Sequence, residues 1–596
     1  MKMETEARTC QNCKAQFTIA PEAVPFYEKI KVPLPTFCRD CRVARRMAFR
    51  NERVLYKRKC DAPGHSEDVV SVFSPDKKQR VYDHTAWWGD QWDPLSYGRD
   101  VDFSLPFLEQ LKELWAEVPD ISVLNINPVN SEYCSITEGN KNCYLVFGGD
   151  FNENTLYSTY IFRSRECVDT YWVQNSEYNY ETIDCTACSR LFYSRYCESS
   201  YNSAFLFNCR NCHDCFGSAN LVSRSYVFFN EQYSKEEYAE KLKEFDLATA
   251  SGVQKAKERF AAHMIKYPRR FAKMIQVVNS SGDNLENCRN CQRCFDVFEG
   301  AENCSDVFLV YSKVKDSIDT DHAGLSSELA YESSAVYPAS RVFFSRFVFN
   351  CHDIQYSYNV HNAGNLFGSI GVRNKQYCIL NKQYSKEDYE ALVPKIIEHM
   401  KAMPYVDAKG RTHAYGEFFP VEMSPFAYNE TISQEMYPIS KEQTGAMGYV
   451  WKDQDAKEYT PTKTASELPD AIADVKDDIL KEIIECEHKG TCNDQCSTAF
   501  RIIPAELELY RHLGIPLPRL CSSCRHFARV RQRNPYRLWH RKCQCAGAAS
   551  ASGDYKNTAA HFHAATGACP NEFETTYAPE RPETVYCEQC YQAEVS

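Results

Sequence analysis

From about Asn125 to Asn381 the apolar positions fall in short aromatic runs separated by polar turns. Tyr144-Leu-Val-Phe147, Tyr171-Trp-Val173, Arg190-Leu-Phe-Tyr193, Ala204-Phe-Leu-Phe207 and Tyr226-Val-Phe-Phe229 are examples. Asn, Ser, Gly and Asp fill the gaps, as turns require. Strands this short and frequent do not alternate with helices. The pattern predicts a β-solenoid, with inward side chains stacked rung on rung. The spacing is irregular and yields no single period.

Internal repetition divides this region in two. Asn208-Cys-Arg-Asn-Cys212-x-x-Cys215-Phe216 recurs as Asn287-Cys-Arg-Asn-Cys291-x-x-Cys294-Phe295, Phe216-Gly-Ser218 as Phe367-Gly-Ser369, and Gln232-Tyr-Ser-Lys-Glu-Glu-Tyr238 as Gln383-Tyr-Ser-Lys-Glu-Asp-Tyr389. The last pair reads as a helix start: Ser234 with Glu237 makes a capping box, and Ser385 with Asp388 a weaker one. The expected organisation is a first solenoid half with its helix (125–250), a helical insertion (251–279, helical over Val253 to Met274) and a second half with its helix (280–404). A linker (405–485) follows, Pro-, Gly- and Tyr-rich at first and ending in a short amphipathic helix from Ser466 to Glu485. The C-x-x-C-x-x-C triplets lack the fourth cysteine and proline of ferredoxin spacing. Cysteines three apart suit a ladder of small buried side chains.

The two ends repeat each other. Phe17 to Cys60 lies on Phe500 to Cys543 without a gap, with 17 of 44 positions identical. Each copy carries two close cysteine pairs, the spacing of a four-thiolate zinc site. The first set is Cys10, Cys13, Cys38 and Cys41. The second is Cys492, Cys496, Cys521 and Cys524, with Cys486 nearby as a possible substitute. A further site follows in the second copy, from Cys569, Cys587 and Cys590 plus Cys543 or Cys545. In the first copy Cys60 matches Cys543 and His65 stands where Cys569 stands, but Asp83 and Ala86 replace the knuckle at Cys587 and Cys590. That site reads as degenerate, with Asp83 or His84 as remaining candidate ligands. The implied cofactor is zinc, about three ions, or four if the Cys60–His65 site is filled. The terminal modules thus span 1–124 and 486–596.

Charge sharpens the picture. The chain carries −11 overall, yet Arg39 to Lys59 holds nine basic and two acidic residues, and Arg519 to Lys542 eight basic and none acidic. Beyond the second knuckle, arginines recur at four-residue steps: Arg42, Arg46, Arg50 and, further on, Arg58 in one copy, and Arg525, Arg529, Arg533, Arg537 and Arg541 in the other. On a helix that step keeps them on one face, and Pro535 should end the second helix near Asn534. Arginine suits bidentate phosphate contacts, so the stripes are candidate nucleic-acid contacts.

The start, MKMETEARTCQNC, has no apolar stretch, so no secretory signal is expected. No apolar run reaches the roughly 18 residues of a membrane span. A cytoplasmic chain with reduced thiols and no membrane partner is the expectation. H-E-x-x-H, G-x-S-x-G, P-loop and Rossmann glycine patterns are absent. Asp319, Asp321 and His322 cluster, and are expected in a solvated turn. Cys60, His65 and His84 are the other conceivable catalytic set, as a zinc site with an open position.

VPLPTFCRDCR, NCRNCHDCFGSANL, NKQYSKEDY, YGEFFPVEMSPFAYNET and ETVYCEQCY together resemble a family of large, uncharacterised zinc-ribbon and β-solenoid proteins of reduced-genome, candidate-phyla bacteria. The resemblance covers nearly the whole chain and implies architecture and zinc, with no established activity. Some such proteins carry the automatic label CaiB/BaiF, a coenzyme A transferase name that no α/β alternation supports here. The family pattern has knuckle cysteines where Asp83 and Ala86 sit.

The expected fold is mainly β with α insertions: duplicated terminal zinc-ribbon or treble-clef modules flanking a central β-solenoid. The expected function is non-enzymatic binding of nucleic acid, RNA or the ribosome, through the arginine stripes. The alternative is a zinc-capped solenoid scaffold for a protein partner, presenting an aromatic and polar surface.

Overall fold

The computed structural model describes residues 6–453, 460–563 and 567–595. Part of the expected linker, 454–459, lies outside them. The fold is mainly β, and its solenoid has a three-residue logic. Every third residue is left-handed, as at Tyr157, Tyr160, Arg163, Glu166, Asp169 and Trp172. Each such residue turns the chain, and four triplets close one rung of 12 residues. Parallel partners therefore step by 12: Ser135, Phe147, Thr159, Tyr171, Ile183, Arg195, Phe207 and Ala219 form one column.

A left-handed turn costs a non-glycine residue about 1–2 kcal/mol, so the rungs must repay it in hydrogen bonds. The turning residue donates its N–H to the rung below, as Tyr157 does to the carbonyl of Tyr144 and Tyr160 to that of Phe147. The residue after it points inward, and its N–H finds an inward side chain one rung back. Thr170 donates to Ser158 Oγ, Cys188 to Ser176 Oγ, Leu191 to Asn179 Oδ1 and Cys212 to Ser200 Oγ. This accounts for interior positions that mix Ser, Asn and Thr with Cys, Val and Leu: a wholly apolar bore would leave buried donors unpaired. The cysteines do the same work as serine. Cys185 and Cys188 donate to the carbonyls of Ile183 and Thr186, as Ser158 donates to Leu156. Cys209, Cys212 and Cys215 lie on successive sides of one rung, fully buried, and each donates to the carbonyl two residues back.

The second half repeats this with a varying count. Gln292, Ser305, Ile318 and Tyr331 step by 13, whereas Ser334, Arg346, Tyr358 and Ile370 step by 12. The mixture is why no single period is legible along the chain. Each half ends in an antiparallel strand pair and a helix, Lys235–Leu242 and Lys386–Ala402, capped by Ser234 and Ser385. Only Ser234 forms the full capping box.

Two element expectations are corrected. The insertion helix is Ala250–Met264, and its expected continuation becomes the strand Arg269–Arg270, paired with Val585–Tyr586. The expected helix over 466–485 is three 3-10 turns, Ala465–Glu467, Ile472–Asp474 and Asp477–Lys481. Pro469, which has no N–H to donate, interrupts the segment.

The chain closes into two compact units, each drawn from distant segments. One joins the N-terminal module to the second solenoid half: 6–123, 272–453 and 536–538. The other joins the first half and the insertion to the C-terminal module: 124–271, 460–535, 539–563 and 567–595. In each, the aromatic face of the solenoid is covered. Tyr180, Tyr193, Phe205 and Phe216 pack under the helices Ala250–Met264 and Pro504–Leu513, with Phe260 and Tyr510 against them. Tyr331, Phe344, Tyr356 and Phe367 pack with Phe107, Trp115 and Phe419. The aromatic surface expected on a scaffold is therefore internal core. Among the described residues no helix is long and apolar enough to cross a membrane.

Candidate metal centres and the arginine clasps

The N-terminal thiols converge as expected. Cys10, Cys13, Cys38 and Cys41 place their sulfurs within 4.8 Å of one another, and Cys13 and Cys38 are 3.6 Å apart. A tetrahedron with zinc–sulfur bonds of 2.3 Å has edges of about 3.8 Å, so the cage fits that ion. Cys38 is the N-cap of the helix Arg39–Met47, its N–H donates to Cys10 Sγ at 3.2 Å, and Asn12 Nδ2 donates to Cys41 Sγ at 3.3 Å. Such donors stabilise thiolate ligands.

The second quartet is Cys486, Cys496, Cys521 and Cys524, with sulfur separations of 3.9 Å (Cys486–Cys524) and 4.0 Å (Cys496–Cys521). The N–H of Cys521, N-cap of the helix Ser522–Val530, donates to Cys486 Sγ at 3.3 Å. Cys486 thus occupies the place of Cys10. Cys492 stays beside this cage, its Sγ 3.6 Å from that of Cys524, and lies in a further donor group with His488, Asp494 and Cys524. The third quartet is Cys543, Cys569, Cys587 and Cys590, with edges of 3.8 Å (Cys569–Cys587) and 3.7 Å (Cys569–Cys590). Of the two alternatives for its first ligand, Cys543 takes the position and Cys545 does not.

Each quartet already favours a thiolate. The thiol of Cys543 donates to Cys587 and lowers it to about 4. Cys10 is lowered by donation from Cys38 and then Cys41, and Cys521 by Cys486, Cys496 and Cys524. A bound divalent ion would take over from the shared protons, as metal binding to thiols generally does.

The degenerate site keeps its shape. The N–H of Asp83 donates to Cys60 Sγ at 3.3 Å, matching the bond from Cys587 to Cys543 at 3.2 Å. Burial pushes the Cys60 thiol up, and it donates to Asp83 Oδ2 at 3.2 Å while His65 Nδ1 lies 3.0 Å from the same oxygen. The other oxygen of Asp83 caps the helix His84–Trp88. A hydrogen-bonded knot thus spans the positions that form the third quartet in the other copy. His84 does not join it; its buried Nε2 has no hydrogen-bond partner.

The arginines are where the sequence reading changes most. Both expected helices start at the second knuckle, but they end at Met47 and Val530, well before Pro535 in the second case. Arg58 and Arg541 lie instead on the strands Tyr56–Lys59 and Trp539–Lys542. Arg42, Arg46, Arg50, Arg525, Arg529 and Arg541 are buried, and the first five meet carboxylates of the solenoid rungs. Arg42 lies 2.7 Å from Asp319, Arg46 lies 3.3 Å from both Asp321 and Glu332, and Arg50 lies 2.8 Å from Asp321. In the other unit Arg525 and Arg529 share Asp169, at 3.0 and 2.7 Å, and the less buried Arg533 meets Asp184 at 2.9 Å. The three arginines that match between copies thus meet solenoid carboxylates in both, and in each copy two of them share one: Arg46 and Arg50 on Asp321, Arg525 and Arg529 on Asp169. Arg541 donates to Gln544 and backbone carbonyls, and Arg58 pairs with Asp61. Of the nine arginines assigned to phosphate contacts only Arg537 is exposed, so the expected phosphate-facing stripe is instead an internal clasp. The same contacts correct the expectation for Asp319, Asp321 and His322, which are fully buried rather than in a solvated turn.

No protein-family model and no curated protein matches this chain.

The sequence reading missed the acidic partners and a pair of histidines, His561 and His563. Asp306, Asp319 and Glu332 are spaced by one 13-residue rung each, a signal available only once the rung is known. The histidines lie on extra chain in the second copy: Cys60 and His65 are 5 apart where Cys543 and Cys569 are 26 apart, a difference of 21 residues.

Proposed function

We propose that this protein is a zinc-organised β-solenoid scaffold that binds a protein partner, with its terminal modules serving as clasps on the solenoid. The observation that carries this reading is the burial of matched arginines against solenoid carboxylates in both copies. Arginines used in this way are withdrawn from phosphate, and the helix that presents them starts at a zinc knuckle, so metal and clasp act together. A cleft of about 1070 Å³ in the N-terminal unit offers a place for the partner. Its walls combine Phe17, Pro25 and Phe26 with an amide ladder in which Asn279, Asn290, Asn303 and Asp316 hydrogen-bond in series. Apolar wall and ordered amides together suit an extended peptide segment.

The test is a pull-down with the full chain after nuclease treatment, beside a Phe26→Asp, Asn303→Arg variant. The scaffold reading expects a protein partner retained by the parent chain and lost by the variant, and an absorbance ratio at low salt free of nucleic acid. Co-purifying RNA, lost on substituting the exposed Lys57, Lys59 and Lys542 with glutamate, would overturn it in favour of nucleic-acid binding.

A further inference from the structure

The 21 extra residues of the C-terminal module bring Cys545, His561 and His563 to the edge of the third cysteine quartet. Their ligand atoms and Cys590 Sγ all lie within 4.8 Å of one another. Cys590 also belongs to the quartet with Cys543, Cys569 and Cys587. We propose that the C-terminal module holds two zinc ions bridged by the Cys590 thiolate, one in the four-cysteine cage and one held by Cys545, His561, His563 and Cys590. This rests on the quartet being a metal site and not on the scaffold reading.

The geometry fits a second tetrahedron. With zinc–sulfur bonds of 2.3 Å and zinc–nitrogen bonds of 2.0–2.1 Å, a sulfur–nitrogen edge is about 3.5 Å. Cys545 Sγ lies 3.3 Å from His561 Nδ1, and Cys590 Sγ lies 3.5 Å from His563 Nε2. The outer nitrogens are already engaged. His561 Nε2 is 2.9 Å from Glu594 Oε1, with both side chains about 1 % exposed or less, and His563 Nδ1 is 3.1 Å from the carbonyl of Gly567. An acceptor on the outer nitrogen places the ring proton there and leaves the inner nitrogen bare toward the sulfurs. This is the carboxylate–histidine arrangement that orients zinc ligands.

The surroundings hold the set in place. Glu594 also accepts from Tyr555 and from the N–H groups of Thr558 and Ala559. Asn557 Nδ2 donates to Cys545 Sγ at 3.2 Å, as Asn571 does to Cys587 at 3.3 Å. Charge favours the pair as well. Four thiolates around one divalent ion leave two negative charges, whereas five thiolates around two ions leave one. Four protein ligands at each ion close both shells, which marks a structural site rather than a hydrolytic one. The group of His488, Cys492, Asp494 and Cys524 differs, because Arg531 takes both oxygens of Asp494, at 2.6 and 3.0 Å.

The experiment is zinc content per full-length chain by elemental analysis, for the parent, for His561→Ala with His563→Ala, and for Cys545→Ser. Each variant is expected to hold one ion fewer than the parent, with the difference unchanged in a Cys60→Ser background. Cobalt(II) exchanged into the parent protein gives a readout that needs no variant: ions bridged by a thiolate couple magnetically, so part of the paramagnetic resonance signal is expected to be lost. Equal zinc content in parent and variants, or an uncoupled cobalt signal at full loading, would overturn the proposal.

Discussion

At the residue scale the solenoid makes cysteine a variant of serine. Both donate to the carbonyl two residues back, as Cys197 does to Arg195 and Ser200 to Glu198, and cysteine adds apolar bulk to the bore. Replacing Cys209, Cys212 and Cys215 together with serine is therefore expected to leave the metal content of the chain unchanged; a lost ion in the elemental analysis would show that the triplet is a metal site. Buried histidines make the N-terminal unit sensitive to acid. Burial, with Arg373 adding to it, pushes His361 down to about 3, and burial with Arg50 and Arg346 holds His322 well below its ordinary value. A ring kept neutral in the fold takes up its proton on unfolding once the pH is below about 6.5. Each ring therefore removes about 1.4 kcal/mol of stability per pH unit below that value and none above it. The thermal midpoint is expected to fall between pH 7 and pH 5, and His361→Gln to flatten the fall. An unchanged slope in that variant would assign the acid sensitivity elsewhere.

At the element scale the clasp depends on two repeats of nearly equal length. Neighbouring rungs of a sheet are about 4.8 Å apart, and three residues of helix advance about 4.5 Å. A helix with arginines three residues apart can thus meet carboxylates one rung apart, as Arg39, Arg42 and Arg45 meet Asp306, Asp319 and Glu332. Buried pairs of this kind add little net stability but penalise misdocking, because an arginine left without its partner is buried and unpaired. Asp169→Asn, which leaves Arg525 and Arg529 facing an amide, is expected to lower stability by about 3–5 kcal/mol. Lys141→Ala, which breaks an exposed pair with Glu153, should lower it by no more than about 1 kcal/mol. Denaturant titration of the two variants distinguishes them, and equal effects would refute the clasp. The helices were legible from the knuckle and the four-residue spacing. What they face was not, because the partner carboxylates lie hundreds of residues away and sit among many other acids in an acidic chain.

At the scale of the whole molecule, zinc is expected to control both clasps. Both arginine helices start at a metal-cage cysteine, Cys38 and Cys521, so a strong chelator should release them. Hydrogen exchange is expected to quicken in Arg39–Met47 and Ser522–Val530 while the solenoid rungs stay protected. Uniform protection after complete metal removal would separate the clasps from the metal. The sequence alone determined the duplication, the first quartet, most members of the other two, and the solenoid. Those features are local or periodic: a knuckle needs neighbouring cysteines, and a rung needs turn formers and small inward side chains. Only the tertiary structure decided that Cys486 joins the second quartet, that the N-terminal module clasps the second solenoid half, and that the arginines are spent inside the fold. Each of these depends on which distant groups become neighbours, and one stripe of positive charge reads the same along the chain whether it meets phosphate in solution or carboxylates in the core.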